Sequence, residues 1–151
     1  MTSIIDMPPP PGLDAFLNAT GWSGASISPV AGDASFRRYF RVVSGNGDRA
    51  ILMDAPPPHE DPRPFIEIAE YLKGNGFRAP EIFAKDLSRG LVLIEDFGDN
   101  RMREHLDVNP GEETAIYNQA IDTIVGLSYA DRADLPPYDE AAYLREVNLL
   151  T

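Results

Sequence analysis

Two runs of alternating side chains meet across Asn46-Gly47, and this dipeptide restricts the fold more than any other feature of the chain. Asn-Gly accepts the positive φ angles of a type I′ turn, whose twist matches that of two paired strands. On one side, residues 37–44 alternate Arg38/Phe40/Val42 with Tyr39/Arg41/Val43; on the other stand residues 50–54. A further strand-like run at residues 26–31 precedes them, so the spacing predicts an antiparallel meander of three strands.

The residues after the meander are equally patterned. Asp61-Pro62 is a helix-start signal, Phe65, Ile68, Ala69 and Leu72 recur at helical spacing, and Gly74-Asn75-Gly76 stops the run. One helix of about three turns is expected there. Residues 81–85 and 91–95 read as two more strands joined by Ser88-Arg89-Gly90, the second almost entirely apolar, as a strand buried on both faces should be. After Glu95-Asp96-Phe97-Gly98-Asp99 only helical patterns remain. One opens at Asn109-Pro110-Gly111-Glu112 and runs to about Tyr129 with Ile116, Ala120, Thr123, Ile124 and Leu127 on one face; another begins near Asp139 with Tyr143, Val147 and Leu150. Upstream, the proline run at residues 8–11 is a stiff lead-in, and Leu13, Phe16 and Leu17 before Gly21 mark a short helix expected to pack as a flap without chemistry. The predicted organisation is therefore α+β: an extension over 1–21, a sheet-and-helix unit over 22–94, a hinge over 95–99 and helices over 100–151. The final helical pattern reaches Thr151 with no glycine, asparagine or proline stop, which reads as a fragment end.

Charge narrows the partners. The formal net charge is −11, opposite to the positive field that duplex nucleic acid or an anionic membrane surface requires. Residues 1–75 hold 6 Lys/Arg against 9 Asp/Glu, and residues 76–151 hold 7 against 15. Against that acidic background Arg37, Arg38 and Arg41 fall within five positions and form a local positive spot suited to a compact anion such as a nucleotide phosphate tail. Cysteine is absent, no apolar run approaches the roughly 20 residues of a spanning helix, and the amino terminus lacks a secretory pattern. A reducing, cytoplasmic setting is the expectation.

Two segments carry candidate chemistry. Gly32, Asp33, Ala34, Ser35 and Phe36 lie between two strands, where a glycine followed by small and hydroxylated residues can lay backbone N–H groups against phosphate oxygens; an ordinary hairpin loop has the same composition. Glu95, Asp96 and Phe97 end the buried strand where the sheet stops and the helices begin. Such a junction offers backbone C=O and N–H groups to an adenine edge, or serves as a plain linker.

Five antiparallel strands with one helix after the third, then an acidic hinge into helices, resemble the small lobe of the protein-kinase-like fold. More closely, GDASFRRYFRV at 32–42, MDAPPP at 53–58, FIEIAEYL at 65–72, GFRAP at 76–80 and LVLIEDFGD at 91–99 resemble the aminoglycoside-phosphotransferase superfamily, and within it the bacterial anomeric amino-sugar kinases of cell-wall recycling, which act on N-acetylmuramate and N-acetylglucosamine. The resemblance covers about residues 22–100 and, more loosely, the helices to 151. It implies a nucleotide-binding small lobe and the beginning of a truncated helical large lobe, in a kinase using ATP and Mg2+ to phosphorylate a hydroxyl of a small molecule. The 32–42 hairpin would cover the triphosphate, and Glu95 to Phe97 would hydrogen-bond adenine.

The resemblance also exposes two departures. A typical member has a third-strand lysine that pairs with the α- and β-phosphates and with a helix glutamate; here Met53 stands at that position, while Glu67 and Glu70 point away from the helix's apolar stripe. The expectation is that Arg37, Arg38 or Arg41 does the lysine's work. The catalytic H-x-D-x-x-x-x-N loop is also missing. His59 comes too early for it, and His105-Leu106-Asp107 matches the first three positions but puts Glu112 at the asparagine site. No catalytic residue or metal ligand is therefore assigned within 1–151; both are expected past Thr151. Two other readings stay open: a degenerate nucleotide-binding module, pseudokinase or regulatory, and an unrelated α+β interaction domain.

Overall fold

The computed structural model describes residues 7–30 and 36–148. A short helix α1 (Leu13–Ala19) leads into strands β1 (Ser26–Val30), β2 (Arg38–Val43) and β3 (Arg49–Asp54). Helix α2 (Arg63–Gly74), strands β4 (Ile82–Asp86) and β5 (Leu91–Glu95), and helices α3 (Met102–Val108), α4 (Glu113–Ser128) and α5 (Glu140–Asn148) come next. The five strands form one antiparallel sheet in the order β1-β2-β3-β5-β4. This is the α+β, five-stranded small-lobe arrangement that the resemblance to the kinase-like fold implies, and it contains the three-stranded meander that the spacing predicts. Pairing of Val43 with Arg49 and Val42 with Ala50 closes the β2–β3 hairpin around Asn46-Gly47, and Gly47 takes a φ of 92°.

Each face of the sheet has its own helix. On one face α1 presents Leu13, Phe16 and Leu17 to Phe40, Val42, Leu52, Leu91 and Leu93. The helix is thus a wall of the core and not the flap expected, because its three apolar residues are the cover for an otherwise bare sheet face. Each of those side chains contributes roughly 2 kcal/mol by area transfer. On the other face Met53, Val92 and Ile94 pack with Ile66 of α2. Strand β5 is internal and covered on both sides, which accounts for its continuous run of apolar residues. The edge strands are blunted: β1 carries Pro29, and β4 has a register irregularity between Ile82 and Ala84.

The helical stripe read for α2 is rotated in the structure. The buried residues are Ile66 and Ala69, while Phe65, Ile68 and Leu72 are half-buried and line an open groove of about 390 Å³ with Arg37, Pro64, Arg78, Ala79 and Pro80. An amphipathic pattern places apolar residues on a sector of the helix; which edge of that sector meets the sheet is decided by packing. At the helix start Asp61 accepts a hydrogen bond from Arg63 N (3.0 Å), and Pro62 takes the cap position. The sequence reading left residues 102–108 unassigned, and they form α3. The expected long helix becomes a 3-10 turn over Pro110–Glu112 followed by α4. The turn after α4 is tied to the carboxyl end of α2 by Tyr71 Oη donating to Asp131 O (2.5 Å) and Asp131 N donating to Asn75 Oδ1 (3.2 Å). The rest of α4 is largely bare: Ile121, Ile124 and Leu127 are exposed. Near Asp139 the helical pattern is realised as α5, with Ala142 N donating to Asp139 Oδ1 (2.8 Å); Leu150 lies outside the described residues.

Two positions hold the sheet's far end together. Asp54 is 2% exposed and takes two hydrogen bonds from Arg38, from Nε at 2.8 Å and Nη2 at 2.5 Å, while Arg38 Nη1 donates to Pro8 O (3.1 Å). Gly90, at φ 74°, sits where a Cβ would lie 1.9 Å from the Ala55 carbonyl oxygen. Gly90→Ala is therefore expected to lower stability by at least ~2 kcal/mol in denaturant unfolding, since both the left-handed backbone and the clash oppose it. Arg38→Ala leaves a buried carboxylate unpaired and is expected to cost about 3 kcal/mol in the same measurement.

Candidate functional site

The pleat of β2 sorts the three arginines, because alternate residues of a strand face opposite sides. Arg38 goes with Phe40, over whose ring its guanidinium lies at 5.7 Å, on the α1 face. Tyr39 and Arg41 go to the α2 face, where a cleft of about 270 Å³ opens beside the carboxyl end of β5. Val30, Tyr39, Arg41 and Ile51 form its ceiling, Phe65 and Ile94 its back, and the segment from Glu95 to Asp99 with Arg101 its rim. The cleft thus brings together β2 and the acidic segment that ends the sheet. It shares Phe65 and Pro80 with the apolar groove along α2, so the two run on from one another.

Each of the arginines has a carboxylate. Arg37 Nε donates to Glu60 Oε2 (3.0 Å), and Phe36 beside it stacks on His59 with centroids 5.5 Å apart. Arg38 is committed to Asp54 on the far side of the sheet and does not line the cleft. Arg41 reaches across to the hinge: Nε donates to Asp96 Oδ2 (2.7 Å), Nη2 to Asp96 Oδ1 (3.2 Å), and Nη1 and Nη2 to Asp99 Oδ2 and Oδ1 (2.9 and 2.8 Å). Met53 is fully buried with Ile66, Val92 and Ile94, so its thioether belongs to the core. No carboxylate of α2 answers it there; Glu67 and Glu70 are exposed, and Glu70 lies 3.8 Å from Lys85. Gly32, Asp33, Ala34 and Ser35 lie outside the described residues, but Val30 and Tyr39, on either side of them, both line the cleft.

One participant was missed by sequence reasoning. Arg78, from the segment between α2 and β4, donates to both oxygens of Glu95 (2.8 and 2.6 Å) and lies 4.4 Å from the centre of the Phe97 ring. Its place in GFRAP was visible, but nothing local tied it to residues 17 and 19 positions later. The two histidines have other partners: His105 Nε2 is 2.8 Å from Glu112 Oε2 on the surface, and His59 stacks on Phe36. Among the described residues no group of three or more His, Asp or Glu is disposed to hold a metal ion, and Asp96 and Asp99 are taken up by Arg41. No helix of the described residues is long and apolar enough to cross a membrane.

The hinge carboxylates are tuned by these contacts. Burial alone would raise Asp96, whose side chain is 3% exposed, but hydrogen bonds from Arg41 and from Gly98 N hold it below its ordinary value of 3.8. The hydrogen bond from Arg41 likewise lowers Asp99, and the one from Arg78 lowers Glu95. A carboxyl group with a depressed folded-state pKa adds stability that is complete above its unfolded value and is lost as pH falls through the folded one. Denaturant midpoints measured from about pH 6 down to about pH 3 should therefore decline. In Asp96→Asn the plateau should be lower and the acid decline shallower.

Comparison with known proteins agrees with this architecture. Residues 26–150 match the phosphotransferase enzyme family. The chain is similar to the N-acetylmuramate/N-acetylglucosamine kinase of Pseudomonas aeruginosa, with 43% identity over 137 residues that cover 87% of this chain and 39% of that protein. The kinase of the same name from Pseudomonas putida is 40% identical over 126 residues, covering 82% of this chain and 36% of that protein. That from Neisseria meningitidis serogroup B is 33% identical over 123 residues, 80% of this chain and 36% of that protein. The chain thus spans about two fifths of the length of the curated relatives it matches. A match over most of its length, on a sheet of the expected order, makes the chain a member of the phosphotransferase enzyme family.

Proposed function

We propose that the chain is the nucleotide-binding part of a kinase that transfers the γ-phosphate of ATP to a hydroxyl of an amino sugar. The observation that carries this reading is the cleft between the β1–β3 ceiling and the 95–99 segment, in a family whose relatives are named kinases. Val30, Ile51, Phe65 and Ile94 make its walls apolar, which suits a flat base, and the hinge backbone at its rim can pair with the base edge. The amino-sugar acceptor is inferred from the names of the relatives.

Of the three arginines, Arg37 is the best placed to act on the phosphates. It is the first residue after the 32–36 segment, and its side chain is 28% exposed beside Phe65 and Pro64. A triphosphate drawing it from Glu60 would gain the charge-assisted donors that Met53 cannot supply. Among the described residues no group of carboxylates is disposed to hold Mg2+, so we assign its ligands to the remainder of the protein, together with the residue that accepts the acceptor's proton. A second reading, a nucleotide-binding module without catalysis, is favoured only by the apolar surroundings of Met53.

The test is a coupled kinase assay of the complete gene product with Mg·ATP against N-acetylmuramate, N-acetylglucosamine and an aminoglycoside panel. Turnover of an amino sugar is expected. Arg37→Ala should raise KM for ATP roughly tenfold, while Met53→Leu, which keeps volume and burial, leaves it unchanged. Mg·ATP stabilisation without turnover of any acceptor would favour the non-catalytic module, and neither turnover nor stabilisation would refute nucleotide binding.

A further inference from the structure

Four of the five residues of the segment that ends the sheet are fastened through their side chains, chiefly by two arginines from outside it, while Arg49 lies 3.8 Å from Asp96. Arg41 reaches from β2 and binds Asp96 and Asp99; Arg78 reaches from the opposite flank and binds Glu95 and covers Phe97. The fifth residue, Gly98, donates its N–H to Asp96 Oδ1 at 2.8 Å, so the carboxylate that Arg41 grips also shapes the turn. Strand β5 adds Glu95 N donating to Glu81 O at 2.9 Å.

We infer that Arg41 and Arg78 are positioning residues: together they fix the backbone of residues 95–99 to the sheet, so that the edge offered to a nucleotide base is set before the ligand arrives. This rests on the nucleotide reading of the cleft, and gives the arginine nearest the hinge a different task from phosphate binding. The two limbs differ in weight. Arg41 and Asp96 have side chains 16% and 3% exposed, so their pairing is desolvated and geometrically tight. Arg78 is 68% exposed and Glu95 28%, a surface pair of the kind that contributes little alone. Arg41 is therefore the main fastening and Arg78 the auxiliary one. Preorganisation of this sort acts on affinity by removing the ordering that binding would otherwise have to impose.

A direct role on phosphate and a positioning role predict different behaviour of the partner carboxylates. If Arg41 touched the nucleotide, removing the charge of Asp96 would loosen its tie to the hinge, leaving only exposed Asp99 as partner, and so leave or improve binding. If it acts through Asp96, either change has the same consequence and the two do not add. The experiment compares Arg41→Gln, Asp96→Asn, their double variant, Arg41→Lys and Arg78→Gln in the complete gene product, by amide hydrogen exchange without ligand and by the Kd of Mg·ATP. Expected are exchange about tenfold faster at Phe97 and Gly98 in both single variants and a Kd raised about tenfold in each, with the double variant no worse than either. Arg41→Lys keeps the charge but not the bidentate fork and should fall between, and Arg78→Gln should change Kd less than about threefold. Unchanged exchange in Arg41→Gln and Asp96→Asn overturns the inference, as does a Kd raised by Arg41→Gln and not by Asp96→Asn. Faster exchange in a protein whose wild type does not bind Mg·ATP leaves the fastening standing and sinks the nucleotide reading instead.

Discussion

Strand β2 has a side-chain period of two, and much else in this structure depends on that. Its even-numbered residues, Arg38, Phe40 and Val42, look toward α1 and its odd-numbered ones toward α2 and the cleft. Cations three positions apart in sequence thereby acquire unrelated tasks. Arg38 closes a buried pair with Asp54 and ties down the lead-in at Pro8, whereas Arg41 crosses the cleft ceiling to the hinge. A slip of one residue in the β2–β3 register would exchange the two faces, burying Arg41 in the α1 core and turning Phe40 into the cleft. The hairpin turn at Asn46-Gly47 guards against that slip.

Electrostatics then does what the apolar core cannot. The two hydrophobic clusters hold α1 and α2 to the sheet, but neither includes residues 95–99. That segment leaves the end of β5 with three carboxylates in five residues, and like charges so close would splay it apart were they not separately engaged. Arg41 and Arg78 do this through planar bidentate geometry that lysine could not supply, and Arg49 adds its charge 3.8 Å from Asp96. The excess of acid in the second half of the chain is in part a matched set for these cations.

Met53 shows how fully the α2 side of the sheet is given over to apolar packing. On the α2 side of β3 it occupies a wholly apolar environment, with Ile66 as its helix neighbour, and an ammonium there would face desolvation without a carboxylate in reach. Strand and helix thus present matching apolar side chains at this point. By contrast α4 keeps an apolar pattern with little against it: Ile121, Ile124 and Leu127 are exposed, and the hydrogen bonds to the end of α2 come from Asp131, beyond the helix.

Five strands, the helix between the third and fourth, the antiparallel β1–β3 meander and the buried character of β5 are legible in local periodicity and turn chemistry, which act over a few residues. The place of β4 and β5 in the sheet and the meeting of the two segments at the cleft were implied only by the family resemblance. Helix α3 escaped because none of residues 102–108 is fully buried and no apolar stripe marks them. Tertiary structure alone decided which edge of α2 meets the sheet, that α1 is a wall of the core, and which carboxylate each arginine takes. Arg41 and Asp96 lie 55 positions apart, and Arg78 and Glu95 lie 17 apart. An ion pair has no sequence period, and with 24 acidic residues to choose from, only the folded chain's distances select the partner.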